Sequence, residues 1–338
     1  MAVQYIWSNG SYDCMGKDNK MNKSNAIKVT IMIPTYNQEN FIREAVDSAL
    51  AQNYPNLEVI VGDDASTDAT PDILANIKDS RLKYIRNPTN LGRVRNYRNL
   101  LYSHATGDFV VNLDGDDYFT DISFIKEAVA IIESKEKIIA VVARARTVSS
   151  TRESVSSIPK VDVLPGMEVV KNFTKEEYRI MHMAVLYSRV EAIKISFYRS
   201  EALCSDWESL CRLILRGNVG YLDRNIGVWR KHGMNESNSI SLDKIFNNLS
   251  IWPIIYSDAV EFGMSKITAK INTVKSISYF AQSSFWKISM AGNKELLSFL
   301  SMILYRYKLS FLFILLTPKY LGRFILSIFG YYRRKNYI

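Results

Sequence analysis

Cysteine is scarce in this chain. Cys14, Cys204 and Cys211 are the three among 338 residues, and they form neither a CxxC pair nor a zinc-like cluster. So sparse and odd a count excludes a disulfide framework and fits a reducing cytoplasm. The N-terminus lacks the basic segment and apolar core of a signal peptide. No charge-free apolar run reaches the roughly 18 residues expected of a membrane-spanning helix. Internal repeats and low-complexity tracts are missing too. After Glu295 there is no acid at all, whereas Arg306, Lys308, Lys319, Arg323, Arg333, Arg334 and Lys335 all follow. A basic and aromatic tail of this kind suits an anionic membrane surface. Nucleic acid also attracts basic charge, but no nucleic-acid-binding motif accompanies it, so it is set aside as a partner.

What remains is ample for a folded core. The hydrophobic fraction is 47%, the charged fraction 23% and the formal net charge +9, values of a globular protein with one large domain or two smaller ones. Residues 1–27, rich in Asn, Ser, Gly, Asp and Lys toward their start, read as a loose extension with no assigned function. Order begins at Lys28. Apolar strands are predicted over 29–33, 57–61, 82–86, 109–113 and 138–143, with helices over 39–51, 71–77, 92–104 and 123–134 between them. Such alternation with short connections predicts an α/β fold built on a doubly wound, mostly parallel sheet flanked by helices. Residues 144–165 read as irregular connection and 181–186 as a strand. A helix over 206–216 and short strands over 218–222 and 227–230 complete the domain, and the chain turns helical from Ser241.

Two of these strands run into acids. The strand over 57–61 meets Asp63, Asp64 and then Asp68, and the strand over 109–113 ends in Asp114, Asp116 and Asp117. In a parallel sheet both clusters fall on one edge, outside the carboxyl ends of the strands, where open α/β sheets bind ligands. Three crowded carboxylates repel one another, and a hard divalent cation that prefers oxygen ligands would relieve this. A solvated Asp-Gly turn explains the second cluster equally well when it is taken alone.

Five stretches in order break the tie: Ile33 to Asp68, Asn87 to Asn99, Leu113 to Asp121, Ser205 to Leu210 and Val228 to Ser237. Together they resemble family 2 glycosyltransferases, which are inverting, nucleotide-sugar-dependent enzymes of the GT-A fold. The resemblance covers about residues 28–239. It implies a catalytic domain over 28–240, with a nucleotide-sugar-binding half over 28–121 and an acceptor-binding half over 122–240. A helical, basic-apolar region over 241–338 follows.

Roles carry over by position. Asp64, with its neighbour Asp63, matches the acid that holds the nucleobase or ribose, and Pro34, Thr35, Tyr36 and Asn37 match the floor of that pocket. Plain core packing is the other reading of Tyr36. Arg98 and Asn99 match positions facing the nucleotide, although a solvated helix face accounts for Arg98 as well. Asp116 is the first choice as ligand to Mn2+ or Mg2+. Asp114 is placed against the donor ribose or the metal. A cation bridging the donor phosphates would stabilise the departing nucleoside diphosphate, which leaves one general base to find. That base is Asp206; Glu208 contends because the stretch reads Ser-Asp-Trp-Glu where the family often shows Glu-Asp before the aromatic residue. Asp206 also suits a helix N-cap. Trp229, Arg230 and His232 match a loop that closes over the diphosphate or metal. His182 is placed on the acceptor side, and Gly115 is read as letting the donor approach the backbone.

The expected activity is transfer of a sugar from a UDP-, GDP- or dTDP-sugar to a hydroxyl of a glycan, itself lipid-linked, in bacterial O-antigen or capsule assembly. The expected location is the cytoplasmic face of the inner membrane, held there peripherally by the tail; the oligomeric state is left open. A sugar-phosphate nucleotidyltransferase is one alternative, but Pro34-Thr35-Tyr36-Asn37 is not its Gly-rich basic loop. A non-catalytic glycan-binding or scaffold protein is another, and Asp64, Asp114, Asp116 and Asp206 together argue against it.

Overall fold

The structure is a computed structural model that describes residues 26–233, 235, 241–290, 296–318, 321, 322 and 325. The loose extension over 1–25 and most of the basic tail beyond Pro318 lie outside the described residues.

The first half is the expected alternation. It runs β1 (Val29–Thr35), α1 (Ile42–Leu50), β2 (Leu57–Asp63), α2 (Thr70–Ala75), β3 (Leu82–Arg86), α3 (Arg93–Asn99) and β4 (Phe109–Asn112). β1 lies between β2 and β4, β3 flanks β2, and all three pairings are parallel. β1 and β2 are buried along their whole length, as expected of strands covered on both faces. α3 passes into a π-helical turn, Leu100–His104. This segment packs hard on β2: a Cβ on Gly62 would lie 2.7 Å from Leu100 Cδ2. Glycine at this point lets α3 come down beside the Asp63-Asp64 end of the strand.

The second half is less regular. β5 (Tyr118–Phe119), α4 (Phe124–Ser134), β6 (Ile138–Ser149), β7 (Glu153–Val155), β8 (Val163–Pro165), α5 (Gly166–Lys171), β9 (Val185–Ser188), α6 (Arg189–Lys194), α7 (Ser205–Ile214) and β10 (Asn218–Lys231) follow. The sheet is therefore mixed, with main order β3-β2-β1-β4-β9-β6-β10-β5. β9 is antiparallel to both β4 and β6, so it joins the two halves into one sheet. Three expectations shift here. β6 extends to Ser149, and residues 144–165 contain β7 and β8. The strand expected over 181–186 begins only at Val185, after a 3-10 turn at His182–Ala184. The two short strands over 218–230 are one strand, β10, whose register slips around Leu222 to Val228. A bulge breaks the period of two and so reads in sequence as a gap.

Four helices complete the described chain: α8 (Leu242–Glu261), α9 (Lys266–Met290), α10 (Leu296–Arg306) and α11 (Lys308–Leu316). They are not a separate appendage. Phe246, Trp252, Ile255 and Tyr256 of α8 join Phe285 and Phe299 in one apolar cluster with Tyr187, Leu210 and Leu213 of the sheet domain. Trp252 is fully buried, its ring stacked on Phe280 at 4.7 Å; removing so large a core side chain costs ~3–5 kcal/mol. No single described helix is long and apolar enough to cross a membrane. α10 and α11 meet that test only as a pair bent by 109°.

Candidate active site

A cavity of about 840 Å3 opens at the carboxyl ends of β1, β2 and β4 and runs beneath α7 to α8 and α9. Its acidic wall is made by Asp64, Asp114, Asp116, Asp117 and Asp206. Ligand oxygens of Asp114, Asp116 and Asp117 lie within 4.8 Å of one another. Burial and the neighbouring carboxylates push Asp114 up to about 6 and Asp117 well above the usual carboxylate range. Such clustering is expensive without a counter-charge. Its all-oxygen donor set fits a hard divalent cation, on the turn that the Asp117 N–H closes onto the Asp114 carbonyl.

Surrounding side chains hold these acids in place. Tyr97 donates its hydroxyl to Asp114 Oδ1 at 2.7 Å. His232 Nε2 lies 2.9 Å from Asp116 Oδ2, and Asn235 Nδ2 donates to the same oxygen at 3.1 Å. The His232 ring stacks on Phe41 at 4.9 Å. Asp117 Oδ1 accepts from the Arg230 backbone N–H at 2.9 Å.

The two acids after β2 divide their tasks. Asp64 lines the cavity and accepts from Asn87 Nδ2, Leu91 N and Gly92 N at 2.8–2.9 Å, which orders the loop into α3. Asp63 is fully buried and does not line the cavity. It accepts from Ser66 N and from the Tyr84 hydroxyl, both at 2.8 Å. Its part is to shape the loop, because its side chain points to the opposite face of the strand from its neighbour's.

Pro34, Thr35 and Tyr36 line the cavity, and Tyr36 is 47% exposed, so it is not core packing. Asn37 does not line it. With φ of 51°, Asn37 turns its Oδ1 to Thr67 N at 2.8 Å and ties two loops together. Gly115 also has a different cause from the one expected. A Cβ there would meet Gln38 Oε1 at 2.3 Å and Thr35 Oγ1 at 2.8 Å, so the glycine lets the acidic turn pack on the end of β1.

Five other expected residues lie off the cavity: His232, held on Asp116 as above, and Arg98, Asn99, Arg230 and Glu208. Arg98 donates to the Tyr198 carbonyl at 3.1 Å and pairs with Glu201 at 3.2 Å, and Asn99 donates to Asn87 Oδ1 at 3.1 Å. The cavity face of α3 is instead Arg93, Asn96 and Tyr97, which the i, i+3, i+4 spacing could have shown. Arg230 gives Nη1 to the Asp116 carbonyl at 2.8 Å, pairs with Glu44 and lies 4.2 Å over the Tyr118 ring. It braces the acidic turn, while its neighbour Trp229 lines the cavity. Glu208 is fully buried, accepts from Arg199 Nε at 2.9 Å and pairs with Arg212 at 3.3 Å. Being spent in that network, it is not placed to take a substrate proton.

Asp206 does face the cavity, from the first turn of α7. The N-cap position is Cys204, so capping is not its task. Burial raises its carboxyl above the usual range, against the pull of Arg93 and of backbone N–H groups in that turn. His182 lines the same space, 2.7 Å from the Tyr198 hydroxyl. Burial and Arg93 hold its imidazole down to about 3, hence neutral near pH 7. Tyr198 donates in turn to Asn112 Oδ1 at 2.9 Å, at the end of β4. The arrangement offers a fixed cluster of carboxylates for a cation and, separately, one carboxylate of raised basicity facing open space.

Residues 30–199 match the profile of glycosyl transferase family 2, and the chain belongs to that family. A Mycobacterium tuberculosis protein without an assigned function is 27% identical over 213 residues, 60% of this chain and 59% of that one. The match thus spans under two thirds of that relative's length. The Escherichia coli glucosyltransferase WfaP, which acts from UDP-glucose on GlcNAc-diphosphoundecaprenol, is 44% identical over 91 residues, 27% of this chain and 36% of WfaP. Among solved structures, Staphylococcus aureus TarS residues 1–349 with UDP-GlcNAc superposes with a TM-score of 0.68 over 91% of this chain and 92% of that one, at 18% identity. A Pyrobaculum calidifontis mannosyltransferase with GDP-mannose and Mn2+ gives a TM-score of 0.53 over 91% of this chain and 86% of that one, at 17% identity. At such identities these structures establish the GT-A fold and nothing finer.

Proposed function

We propose that the protein is an inverting, divalent-cation-dependent glycosyltransferase that moves a sugar from a nucleotide-sugar donor to a hydroxyl of a glycan acceptor. The carrying observation is Asp206, a carboxyl of raised basicity that faces the same cavity as Asp114, Asp116 and Asp117. Tyr36 and Asp64 supply the walls for the nucleoside, and Asp114, Asp116 and Asp117 would hold Mn2+ or Mg2+. When bound, that cation neutralises charge developing on the departing diphosphate. Asp206 accepts the proton of the acceptor hydroxyl while its oxygen bonds to the anomeric carbon and the bond to the diphosphate oxygen breaks on the opposite face. One displacement inverts the configuration. Arg93 lowers the proton affinity of both Asp114 and Asp206, against the burial that raises it.

The acceptor we favour is a lipid-linked glycan of a bacterial surface polysaccharide, handled at the cytoplasmic face of the inner membrane. The exposed Leu309, Leu312 and Leu316 of α11 support this. At spacings of three and four they share one face of a helix, in a region whose described charges are all basic.

The test is binding of UDP-, GDP- and dTDP-sugars with and without manganese, for the protein and for Asp116→Ala. Cation-dependent binding that the variant loses is expected. Absence of binding by every donor in both conditions would overturn the reading.

A further inference from the structure

Where α9 lines the cavity, the side chains are basic and polar. α9 presents Tyr279, Ser283 and Lys287, each four residues from the last and so on one helical face. Arg179 reaches the same face: its guanidinium lies 5.3 Å over the Tyr279 ring and donates to the Tyr279 hydroxyl at 2.9 Å. From the tip of β10, Lys231 covers the Trp229 ring at 4.6 Å, and Trp229 lines the cavity. Burial first, and then the charges of Lys287 and Arg152, hold the Lys231 ammonium below the usual lysine range. Among the described residues no carboxylate is within ion-pairing distance of Arg179, Lys231 or Lys287. Cations gathered without counter-charge on a concave surface attract an anion. Trp207, next to Asp206, and Phe280 of α9 also line the cavity, with rings 5.3 Å apart, and offer apolar surface of the kind a sugar ring rests on.

We propose that Arg179, Lys231 and Lys287 form an acceptor subsite for a phosphate or diphosphate group, so that the acceptor is a phosphate-bearing glycan or polyol. The acceptor's phosphate lies against α9 and its sugar over Trp207, with the reacting hydroxyl toward Asp206. This rests on the transferase reading above. It adds that the acceptor is anionic and that residues far apart in the chain select it. The donor's own diphosphate is the competing occupant: Lys231 stands between Arg230 and His232, which touch Asp117 and Asp116, whereas Arg179 and Lys287 belong to the α9 side of the cavity, and the nucleotide-sugar titration separates the two occupants.

The test uses the full-length protein and isothermal titration with undecyl diphosphate, uncharged undecyl glucoside and ribitol 5-phosphate, alongside a nucleotide-sugar titration with manganese. Undecyl diphosphate or ribitol 5-phosphate should bind at least tenfold more tightly than undecyl glucoside. Preference between the two assigns the phosphate to a lipid-linked or a polyol-phosphate acceptor. The pair Lys231→Ala and Lys287→Ala should weaken the phosphate ligand at least fivefold and leave nucleotide-sugar affinity within twofold. Arg179→Lys, which keeps the charge beside Tyr279, guards against misfolding of an alanine variant and should retain most of the binding. Equal affinity for charged and uncharged ligands would overturn the subsite, as would a parallel loss of nucleotide-sugar binding. Phosphate binding without any nucleotide-sugar binding would uphold the subsite and sink the donor reading instead.

Discussion

Tyr97 hands its phenolic hydrogen to Asp114 across 2.7 Å, and through that bond α3 sets the proton affinity of the acid cluster at the end of β4. The bond favours the ionised carboxylate, while burial and Asp116 push the other way and leave Asp114 at about 6. Tyr97→Phe should therefore raise Asp114 further.

The sign for stability follows from the direction of these shifts. Asp114, Asp117 and Asp206 all bind protons more tightly folded than unfolded. For Asp114, stability without metal should fall as pH rises from about 4 through about 6, because the unfolded chain releases its proton first. A divalent cation needs the carboxylates ionised, so the thermal stabilisation by manganese should be larger at pH 8 than at pH 5. Melting temperatures with and without manganese at both pH values check this. In Tyr97→Phe a full pH series should show the fall continuing to higher pH, because only the folded-state proton affinity has risen, and a fall that ends at the same pH would refute the role given to the bond.

Arg93 lowers the proton affinity of both Asp114 and Asp206. Arg93→Gln should shift the acid limb of the rate profile upward by on the order of one pH unit, whereas Arg93→Lys should keep most of the original position. The profile of kcat against pH distinguishes this from a general loss of activity.

Asp206→Asn should leave nucleotide-sugar affinity within about twofold and lower transfer by ~10^2–10^4-fold, the usual range for losing a general base. Glu208→Gln should behave in the opposite way. Breaking the buried pairs to Arg199 and Arg212 should cost roughly 3–5 kcal/mol of stability, while the protein that remains folded transfers normally. Transfer by Asp206→Asn at a normal rate would remove Asp206 from the mechanism.

Cutting the chain before α10 is a poor test of membrane binding, because Leu296, Phe299, Ile303 and Ile314 are buried in the core. Exchanging the exposed Leu309, Leu312 and Leu316 for Gln leaves that core intact. The variant should keep its melting temperature and lose most of its sedimentation with anionic vesicles. Undiminished sedimentation would count against α11 as the anchor.

Much of this architecture is legible in the linear sequence. β1 to β4 and the helices between them declare themselves by apolar runs and helical spacing, since each satisfies its backbone and buries one face locally. The acids at the ends of β2 and β4 follow, because a strand boundary fixes where a carboxylate can point. β9 and the bulged β10 were harder: β9 is a short antiparallel insertion, and the register of β10 depends on β6 and β5, distant in the chain.

The roles within each acid pair belong to the tertiary structure. Adjacent carboxylates on a strand face opposite ways, so Asp64 reaches the cavity while Asp63 turns inward to Tyr84. Asp206 and Glu208 are two residues apart on a helix, roughly 200° around it, which sends one to the cavity and the other to Arg199 and Arg212. By itself the sequence determined that this chain belongs to glycosyl transferase family 2 and carries an acid-lined sheet edge, because those signals are local and ordered. Only the folded chain decided which acids are available, and that Arg179 and Lys231 come to the part of α9 that carries Tyr279 and Lys287. No periodicity links β10, α9 and the loop before β9; their meeting is set by how α8 and α9 pack on the sheet.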